Sequence, residues 1–205
     1  MEALRSRLLE IGVASRALTG EPESGDRHVV KRFRNGALLA VVDGLGHGAE
    51  AAEAAKIAIA TLVDRPQDSV ITLVRRCHEE LLRSRGVVMS VASVNSRDET
   101  VSWLSVGNVE SILVRADASA NPAYESPILR GGVVGSRLPP LRASVVPVAA
   151  GDTLILATDG IKSGFARGLH LEAPPQQIAD HILVGHIKGT DDALVLVARY
   201  RGTRE

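Results

Sequence analysis

The sequence predicts an α+β protein in which antiparallel β-sheets stack on each other and helices cover their outer faces. Three observations support this prediction. Strand-like and helix-like segments are segregated along the chain instead of alternating as repeated βαβ units. Short polar or glycine-containing separators join consecutive strand-like segments, as in antiparallel hairpins. Hydrophobic residues make up 45% of the 205 residues, which is enough for a substantial core.

The N-terminal part of the chain has the pattern of three strands. We expect the first over residues 9–18, followed by a turn at 21–26 that is rich in helix and strand breakers. The next two strands are expected over 29–33 and 37–42. The dipeptide Asn35-Gly36 joins them and is a strong hairpin signal.

Three segments have the apolar periodicity of helices. The first follows a glycine-rich turn and covers 49–63, where alanine and aliphatic residues recur at helical spacing. A second helix is expected to begin at Asp68, a good N-cap residue, and to end near Arg83. A third is expected over 175–184.

The rest of the chain has the pattern of β-structure and one long loop. Residues 117–140 are rich in Pro, Gly and Ser and are predicted to form a surface loop with one short strand. Six further strands are expected over 87–95, 101–106, 109–115, 143–148, 153–158 and 193–200.

The composition excludes several classes of function. Lys plus Arg and Asp plus Glu balance at 24 each, so the net charge gives no basis for a nucleic-acid or membrane partner. A single cysteine, Cys77, excludes an intramolecular disulfide and a multi-cysteine metal site. The charged N-terminal segment lacks the apolar stretch of a signal peptide, and no apolar run is long enough to cross a bilayer. We therefore expect a cytoplasmic protein with one domain over residues 1–205.

Carboxylates stand at the ends of three strand-like segments. Asp43-Gly44 and Asp159-Gly160 each follow an apolar run, and Asp191-Asp192 precedes another. Either Asp-Gly pair alone is typical of a plain turn. A carboxylate at a buried strand end is nevertheless unfavourable unless a cation compensates it, and Lys162 is the only nearby basic residue in sequence for Asp159. The combination of Asp43, Asp159 and Asp191 therefore predicts a metal site.

The ligand type predicts which metal would bind. Carboxylate oxygens without clustered His or Cys select Mg²⁺ or Mn²⁺ over Zn²⁺. Asp26 adds a fourth carboxylate to the set, and about two divalent ions would neutralise four such charges. Such a pair of ions could accept a phosphate group and activate a water molecule.

A competing interpretation rests on the segment from Gly44 to Ala49, which matches the dinucleotide fingerprint G-x-G-x-x-A. The segment follows a strand and opens a helix, as that fingerprint requires. Asp43 would repel a pyrophosphate, however, and Asp64 lies at the end of a helix rather than at the end of a parallel strand. A dinucleotide-binding oxidoreductase is therefore the weaker hypothesis.

Four motifs recur in a fixed order along the chain: Ser24-Gly25-Asp26, the segment from Asp43 to Gly48, Thr158-Asp159-Gly160, and Asp191-Asp192 before an apolar strand. Taken as a set, they resemble those of the metal-dependent (PPM, or type 2C) protein serine/threonine phosphatases, and their order and spacing are similar to the bacterial SpoIIE/RsbU/RsbX branch. The small size of the chain and the segment from Ser105 to Val109 are most similar to RsbX-type stressosome phosphatases. The resemblance covers nearly the whole chain.

The resemblance implies a four-layer α-β-β-α sandwich with two Mn²⁺ or Mg²⁺ ions at one end of the sheets. In such a site Asp43 would bridge both ions and the carbonyl of Gly44 would bind one of them. Asp159 and Asp191 would hold the other. Asp26 would orient metal-bound water or support a further ion, and Asp192 would lie beside the ligands without binding an ion.

The implied reaction is direct hydrolysis by a metal-activated water, with no phosphoenzyme. The implied substrates are phosphoserine or phosphothreonine residues on stressosome STAS-domain proteins of the RsbR and RsbS type, and the protein is expected to act as a monomer. A phosphoprotein-binding adaptor that keeps the fold without turnover is an alternative hypothesis. The intact set of Asp43, Asp159 and Asp191 argues against that alternative.

Two features depart from the eukaryotic members of the family. Their proposed general acid, a His two residues after the bridging Asp, is replaced by Leu45, and His47 lies further on. Two residues are candidates for the phosphate-binding arginine of those members, Arg16 and Arg27.

The loop over 117–140 is a candidate for substrate selection. It contains Arg130 and Arg137 and ends just before Arg142.

Overall fold

The structure, a computed structural model, describes residues 8–21, 23–117, 119–169 and 171–202. Within these residues the chain forms eleven strands and three helices. The helices are α1 (Ala49–Asp64), α2 (Val70–Glu80) and α3 (Pro175–His186). The strands are β1 (Leu9–Arg16), β2 (Asp26–Phe33), β3 (Gly36–Gly44), β4 (Val87–Asn95), β5 (Thr100–Val106), β6 (Glu110–Val114), β7 (Tyr124–Glu125), β8 (Leu129–Arg130), β9 (Ser144–Pro147), β10 (Thr153–Ala157) and β11 (Ala193–Tyr200).

The strands form two sheets. Sheet one has the order β1-β11-β10-β6-β7, and sheet two has the order β2-β3-β4-β5-β8, with β9 also pairing with β5. The β5–β8 pair is parallel, and the other paired strands are antiparallel. The central strands β3 and β11 are buried along nearly their whole length, which explains why both are continuous apolar runs.

Three clusters of buried apolar side chains separate four layers. Successive residues of a strand face opposite sides of a sheet, so Leu38 packs in the cluster under α1 and α2, whereas Leu39 packs between the two sheets. On the far side of sheet one, Ile178 and Ile182 of α3 pack against the residues of β10 and β11. The predicted α-β-β-α sandwich is thereby confirmed.

Several element boundaries differ from the sequence expectation: β2 begins at Asp26 instead of residue 29, and α2 ends at Glu80 instead of near Arg83. Two further differences have a hydrogen bond as their cause. Strand β1 ends at Arg16 instead of residue 18, because the backbone N–H of Leu18 turns away to donate to Asp192 Oδ1 at 2.7 Å. Helix α2 begins after Ser69, whose Oγ accepts from the N–H of Thr72 at 3.1 Å, so that Ser69 rather than Asp68 is the N-cap.

The long loop contains two short strands instead of one. Strand β7 extends the edge of sheet one, and β8 adds to sheet two beside β5. The loop therefore contacts both sheets. No helix in the described part of the chain is both long and apolar enough to span a membrane.

The topology is inconsistent with the dinucleotide-binding hypothesis. That fingerprint requires a parallel βαβ unit, but β3 lies between two antiparallel neighbours, β2 and β4. Asp64, the expected ribose ligand, ends α1 and pairs instead with Arg76 at 2.8 Å. The glycines after Asp43 therefore serve a different purpose.

Candidate metal centre

Asp26 and Asp43 lie opposite each other at one end of sheet two. Asp26 is the first residue of β2, and its register partner is Asp43, near the end of β3. The pairing continues for one more residue, because the N–H of Gly44 donates to the carbonyl of Gly25 at 3.2 Å. Asp26 and Asp43, which belong to different sequence motifs, are thus neighbours across a hairpin.

The glycine-rich turn after Asp43 brings helix α1 onto the strand end. A Cβ on Gly44 would lie 2.1 Å from the carbonyl oxygen of Ala51, so this contact needs a residue without a side chain. Gly48 precedes the first residue of α1 with φ of 78°, a conformation that favours glycine. The glycines of the turn therefore allow α1 to pack closely on the end of β3 that carries Asp43.

Asp159 and Asp191 lie together at the corresponding end of sheet one. Asp159 follows β10, and Asp191 precedes its antiparallel neighbour β11, so both fall at the same edge. A Cβ on Gly160 would lie only 1.9 Å from the carbonyl oxygen of Asp192. The two acidic segments are therefore in backbone contact at a glycine.

Hydrogen bonds between the sheets join these two pairs into one cluster. The hydroxyl of Thr158, next to Asp159, donates to Asp26 Oδ2 at 2.7 Å. From the same edge, Asp192 Oδ2 accepts from the N–H of Gly25 at 2.6 Å. The structure therefore brings Asp26, Asp43, Asp159 and Asp191 to one end of the sandwich, as the sequence predicts.

The cluster is electrostatically unfavourable without a cation. Burial, and after it the neighbouring charges of Asp26, Asp159 and Asp191, together raise the pKa of Asp43 to about 8. Burial is also the main cause that raises the pKa of Asp26 to about 7. For Asp159 the pKa is raised by burial and by Asp191, against the charge of Lys188 and the hydrogen bond from Asn108.

Such a group of carboxylates fits hard divalent cations, which would compensate its charge with oxygen ligands. Among the described residues, no three His, Cys, Asp or Glu side chains are arranged to hold an ion as they stand. Bound ions would therefore draw part of their coordination from water and backbone carbonyls, as Mg²⁺ commonly does. The carbonyl of Gly44 remains a predicted ligand.

Three residues without a ligand role in the sequence analysis organise the cluster. They are Thr158, Asp192 and Asn108. Asn108 Nδ2 donates to Asp159 Oδ2 at 2.6 Å from the turn between β5 and β6. All three lie within the motifs, but their partners are remote in sequence, so only the tertiary structure shows what they bind.

The other predicted residues divide clearly. His47 is exposed, and its Nδ1 lies 2.6 Å from Glu21 Oε1, whereas Leu45 packs towards the core between the sheets. The cation whose charge acts on Asp159 is Lys188 rather than Lys162. Of the two arginines, Arg27 is paired with Glu23 at 2.5 Å. Arg16 is exposed at the end of β1 and forms no ion pair with any residue that the structure describes.

Replacement by asparagine is expected to affect stability at Asp192 and metal binding at Asp191. Both oxygens of Asp192 accept backbone N–H bonds, from Leu18 and Gly25, and asparagine has only one acceptor oxygen. Asp192→Asn should therefore lower the free energy of unfolding of the metal-free protein by about 1–3 kcal/mol. Asp191 is exposed and accepts only from the N–H of Asp192, a bond that an amide oxygen can keep.

Asp191→Asn should therefore leave the free energy of unfolding within about 0.5 kcal/mol of the wild-type value. We expect it to weaken Mn²⁺ binding instead. Urea unfolding without metal and calorimetric titration with Mn²⁺ measure the two effects. Equal loss of stability in both variants would contradict the separate roles.

Comparison with known proteins agrees with this geometry. The family model of Stage II sporulation protein E (SpoIIE) matches residues 34–201. The chain is 29% identical over 143 residues to the phosphoserine phosphatase RsbX of Bacillus subtilis (strain 168), an alignment that covers 69% of each protein.

Solved structures share the fold over nearly the full length. One comes from work on the bacterial stressosome as a modular system adapted to control secondary messenger signalling. It superposes with a TM-score of 0.84 at 31% identity and covers 93% of this chain and 99% of the other. A structure of RsbX in complex with magnesium superposes with a TM-score of 0.83 at 20% identity, covering 94% and 95%. Since the family match spans most of the sequence, this chain belongs to the SpoIIE family of PP2C-type phosphatase domains.

Proposed function

We propose that this protein is a Mn²⁺- or Mg²⁺-dependent serine/threonine phosphatase acting on phosphorylated stress-signalling proteins, specifically stressosome STAS-domain proteins of the RsbR and RsbS type. The observation that carries the proposal is the convergence of four aspartates from two sheets on one end of the sandwich. Its substrate class is supported by the similarity to the phosphoserine phosphatase RsbX and to a protein from the stressosome study.

The roles within the site are those that the family resemblance implies, and the grouping of the carboxylates supports them. Asp43 would bridge two ions, helped by the Gly44 carbonyl, and Asp159 and Asp191 would hold the ion on the side of sheet one. Asp26 orients water or supports a further ion. The ions, when bound, would supply a water of lowered pKa and positive charge for the phosphoryl group.

The chain needs no nucleophilic side chain for this reaction. Its one cysteine, Cys77, is fully buried in α2, and burial raises the pKa of its thiol to about 12. A thiol in that state is not a nucleophile at neutral pH. This agrees with direct hydrolysis without a phosphoenzyme.

Arg16 is the candidate for gripping the phosphate. It ends β1 opposite Ala193, directly after the Asp191-Asp192 pair, whereas Arg27 is occupied by Glu23. Arg16→Ala should raise KM for an aryl phosphate about tenfold with a smaller change in kcat, because an exposed charge-assisted bond contributes about 1.5 kcal/mol. Steady-state kinetics at saturating Mn²⁺ measures this, and Arg27→Ala is the matched control. A larger KM effect from Arg27→Ala would assign the grip to the other arginine.

A protein substrate is expected to contact the long loop beside the site. Ile128 and Leu129 expose large apolar side chains there, 69% and 49% exposed. Leu129, next to Ile128 in sequence, lines a cavity of about 190 Å³ that is also lined by Phe165 and Ala166 of the segment following Gly160. An exposed apolar patch of this kind is typical of a protein-binding surface.

Ile128→Asp should therefore separate the two kinds of substrate. We expect KM for a phosphorylated STAS-domain protein to rise about tenfold, through loss of roughly 1–2 kcal/mol of apolar contact, while aryl phosphate kinetics stay unchanged. Val145→Asp, at a residue that is 62% exposed on β9, is the control. Equal effects on both substrates would place Ile128 in the catalytic centre or the fold rather than in docking.

The proposed activity is tested by phosphate release from a phosphoserine protein and from an aryl phosphate, with and without Mn²⁺. We expect release that requires the metal and stops in excess chelator. Full activity in chelator would rule out the metal-dependent mechanism. Binding of the phosphorylated protein with no turnover in Mn²⁺ or Mg²⁺ would favour the adaptor hypothesis. One phosphatase domain over residues 1–205, a monomeric state and a cytoplasmic location also belong to this proposal.

A further inference from the structure

Thr158 lies at the end of sheet one that carries the acidic residues. It is buried, 2% exposed, directly after β10 and before Asp159. Its hydroxyl makes a hydrogen bond across the gap between the sheets, to a residue 132 positions away in sequence. This bond and the one from the Gly25 N–H to Asp192 join the two sheets at the site end by polar chemistry, whereas the cluster between the sheets is apolar.

The direction of the hydrogen bond is fixed by the neighbouring backbone. The N–H of Leu194 donates to Thr158 Oγ1 at 2.8 Å, which uses the hydroxyl oxygen as an acceptor. The single hydroxyl proton is then directed at Asp26 Oδ2, 2.7 Å away, rather than at the carbonyl of Leu194 at 3.5 Å. Asp26 therefore accepts, and Thr158 donates.

This bond holds one oxygen of Asp26 and leaves the other available. Oδ2 is bonded to Thr158, and Oδ1 makes no hydrogen bond to a residue that the structure describes. The carboxyl is 4% exposed, so its rotation is restricted by packing as well. The backbone of Thr158 is itself anchored, since its N–H donates to the Leu194 carbonyl at 3.0 Å.

We propose that Thr158 is a positioning residue that ties Asp26 of sheet two to sheet one and thereby sets its free oxygen towards the ions of the centre. The proposal rests on the proposed function, because it assigns Thr158 a role in that metal centre. Partners of this kind orient metal-binding carboxylates, and their loss typically weakens metal affinity or activity by about 10- to 100-fold.

A matched control lies on the same strand. Thr153 begins β10 at its other end, is also fully buried, and donates its hydroxyl to the carbonyl of Gly151 at 3.1 Å. Thr153→Val removes a buried threonine hydroxyl just as Thr158→Val does, but at the end of β10 away from Asp26 and Asp159. Thr158→Ser keeps the hydroxyl and removes only a methyl group.

The test is calorimetric titration of the full chain with Mn²⁺, combined with aryl phosphate kinetics at saturating Mn²⁺. We expect Thr158→Val to weaken Mn²⁺ binding about 10- to 100-fold and to lower kcat with little change in KM. Thr158→Ser should return both values close to wild type. Thr153→Val should lose stability without a change in Mn²⁺ affinity.

Unchanged Mn²⁺ affinity in Thr158→Val, or equal loss of affinity in Thr153→Val, would overturn the positioning role. Wild-type protein that binds Mn²⁺ but releases no phosphate would refute the proposed function, while the effect of Thr158→Val on affinity would still decide the positioning role. Wild-type protein that binds neither Mn²⁺ nor Mg²⁺ would overturn both.

Discussion

Asp43→Asn is expected to abolish metal-dependent phosphate release and, at neutral pH and above, to make the metal-free protein more stable. Asp43 is the proposed bridge between two ions, so its loss removes several kcal/mol of transition-state stabilisation, or about a thousandfold in kcat. In the metal-free state the same carboxyl is half-buried beside Asp26. Its desolvation is the main cause of the raised pKa, and the charges of Asp26, Asp159 and Asp191 add to it. A neutral amide removes that repulsion.

The pH dependence of stability follows from the direction of this shift. The pKa of Asp43 is about 8 in the folded protein and near 4 in an unfolded chain. Its contribution to stability is therefore complete below about pH 4 and is lost as the pH rises through about 8. Metal-free wild type should become less stable between these pH values, and Asp43→Asn should show a shallower decline.

Thermal unfolding from pH 5 to 9, with and without Mn²⁺, measures both effects. Wild type should gain stability on addition of Mn²⁺, most strongly at high pH, and Asp43→Asn should gain little. Asp180→Asn, which makes the same charge change on the exposed face of α3, is the control. If Asp43→Asn keeps wild-type turnover and Mn²⁺ stabilisation, Asp43 is not a ligand.

Gly160→Ala is the second substitution with a large expected effect. The added Cβ would lie 1.9 Å from the carbonyl oxygen of Asp192 and 3.1 Å from Cα of Ala193, both of them backbone atoms. The segments carrying Asp159 and Asp191 must then separate. We expect a loss of at least about 2 kcal/mol of stability from overpacking, together with loss of Mn²⁺ binding and phosphate release.

The matched control is Gly185→Ala, because Gly185 lies in α3 with no atom within 4 Å of its would-be Cβ. Alanine there should stabilise the helix by roughly 0.5–1 kcal/mol and leave activity unchanged. Urea unfolding and aryl phosphate kinetics distinguish the two. Wild-type stability and activity in Gly160→Ala would show that the two acidic segments need not touch.

Much of the architecture could be predicted from the sequence because its signals are local. The hairpin at Asn35-Gly36 and the helix after the glycine-rich turn depend on periodicity and turn chemistry within a few residues. The predicted end of β1 was wrong because a remote partner competes: the strand stops at Arg16, and Leu18 donates to Asp192. The predicted start of α2 was wrong for a local reason, because Ser69 rather than Asp68 accepts the N–H of Thr72.

The candidate site divides in the same way. Asp43 and Asp159 stand out in the sequence because a carboxylate at the end of an apolar strand is unfavourable alone. Their grouping with Asp26 was inferred from family resemblance and charge counting, whereas the residues that hold them were not predicted. Thr158 and Asn108 are ordinary polar residues until a carboxylate from another strand lies within hydrogen-bonding distance.

The sequence by itself determined the layered α+β architecture and the acidic strand ends, and it predicts a preference for hard divalent cations. These properties depend on residue type and short-range periodicity, which a linear chain already contains. The tertiary structure alone decided which oxygens of Asp26 and Asp159 are held, and why Gly160 admits no side chain. Those properties arise from contacts between segments more than thirty residues apart, and hydrogen-bond direction and steric clearance exist only once the sheets have packed.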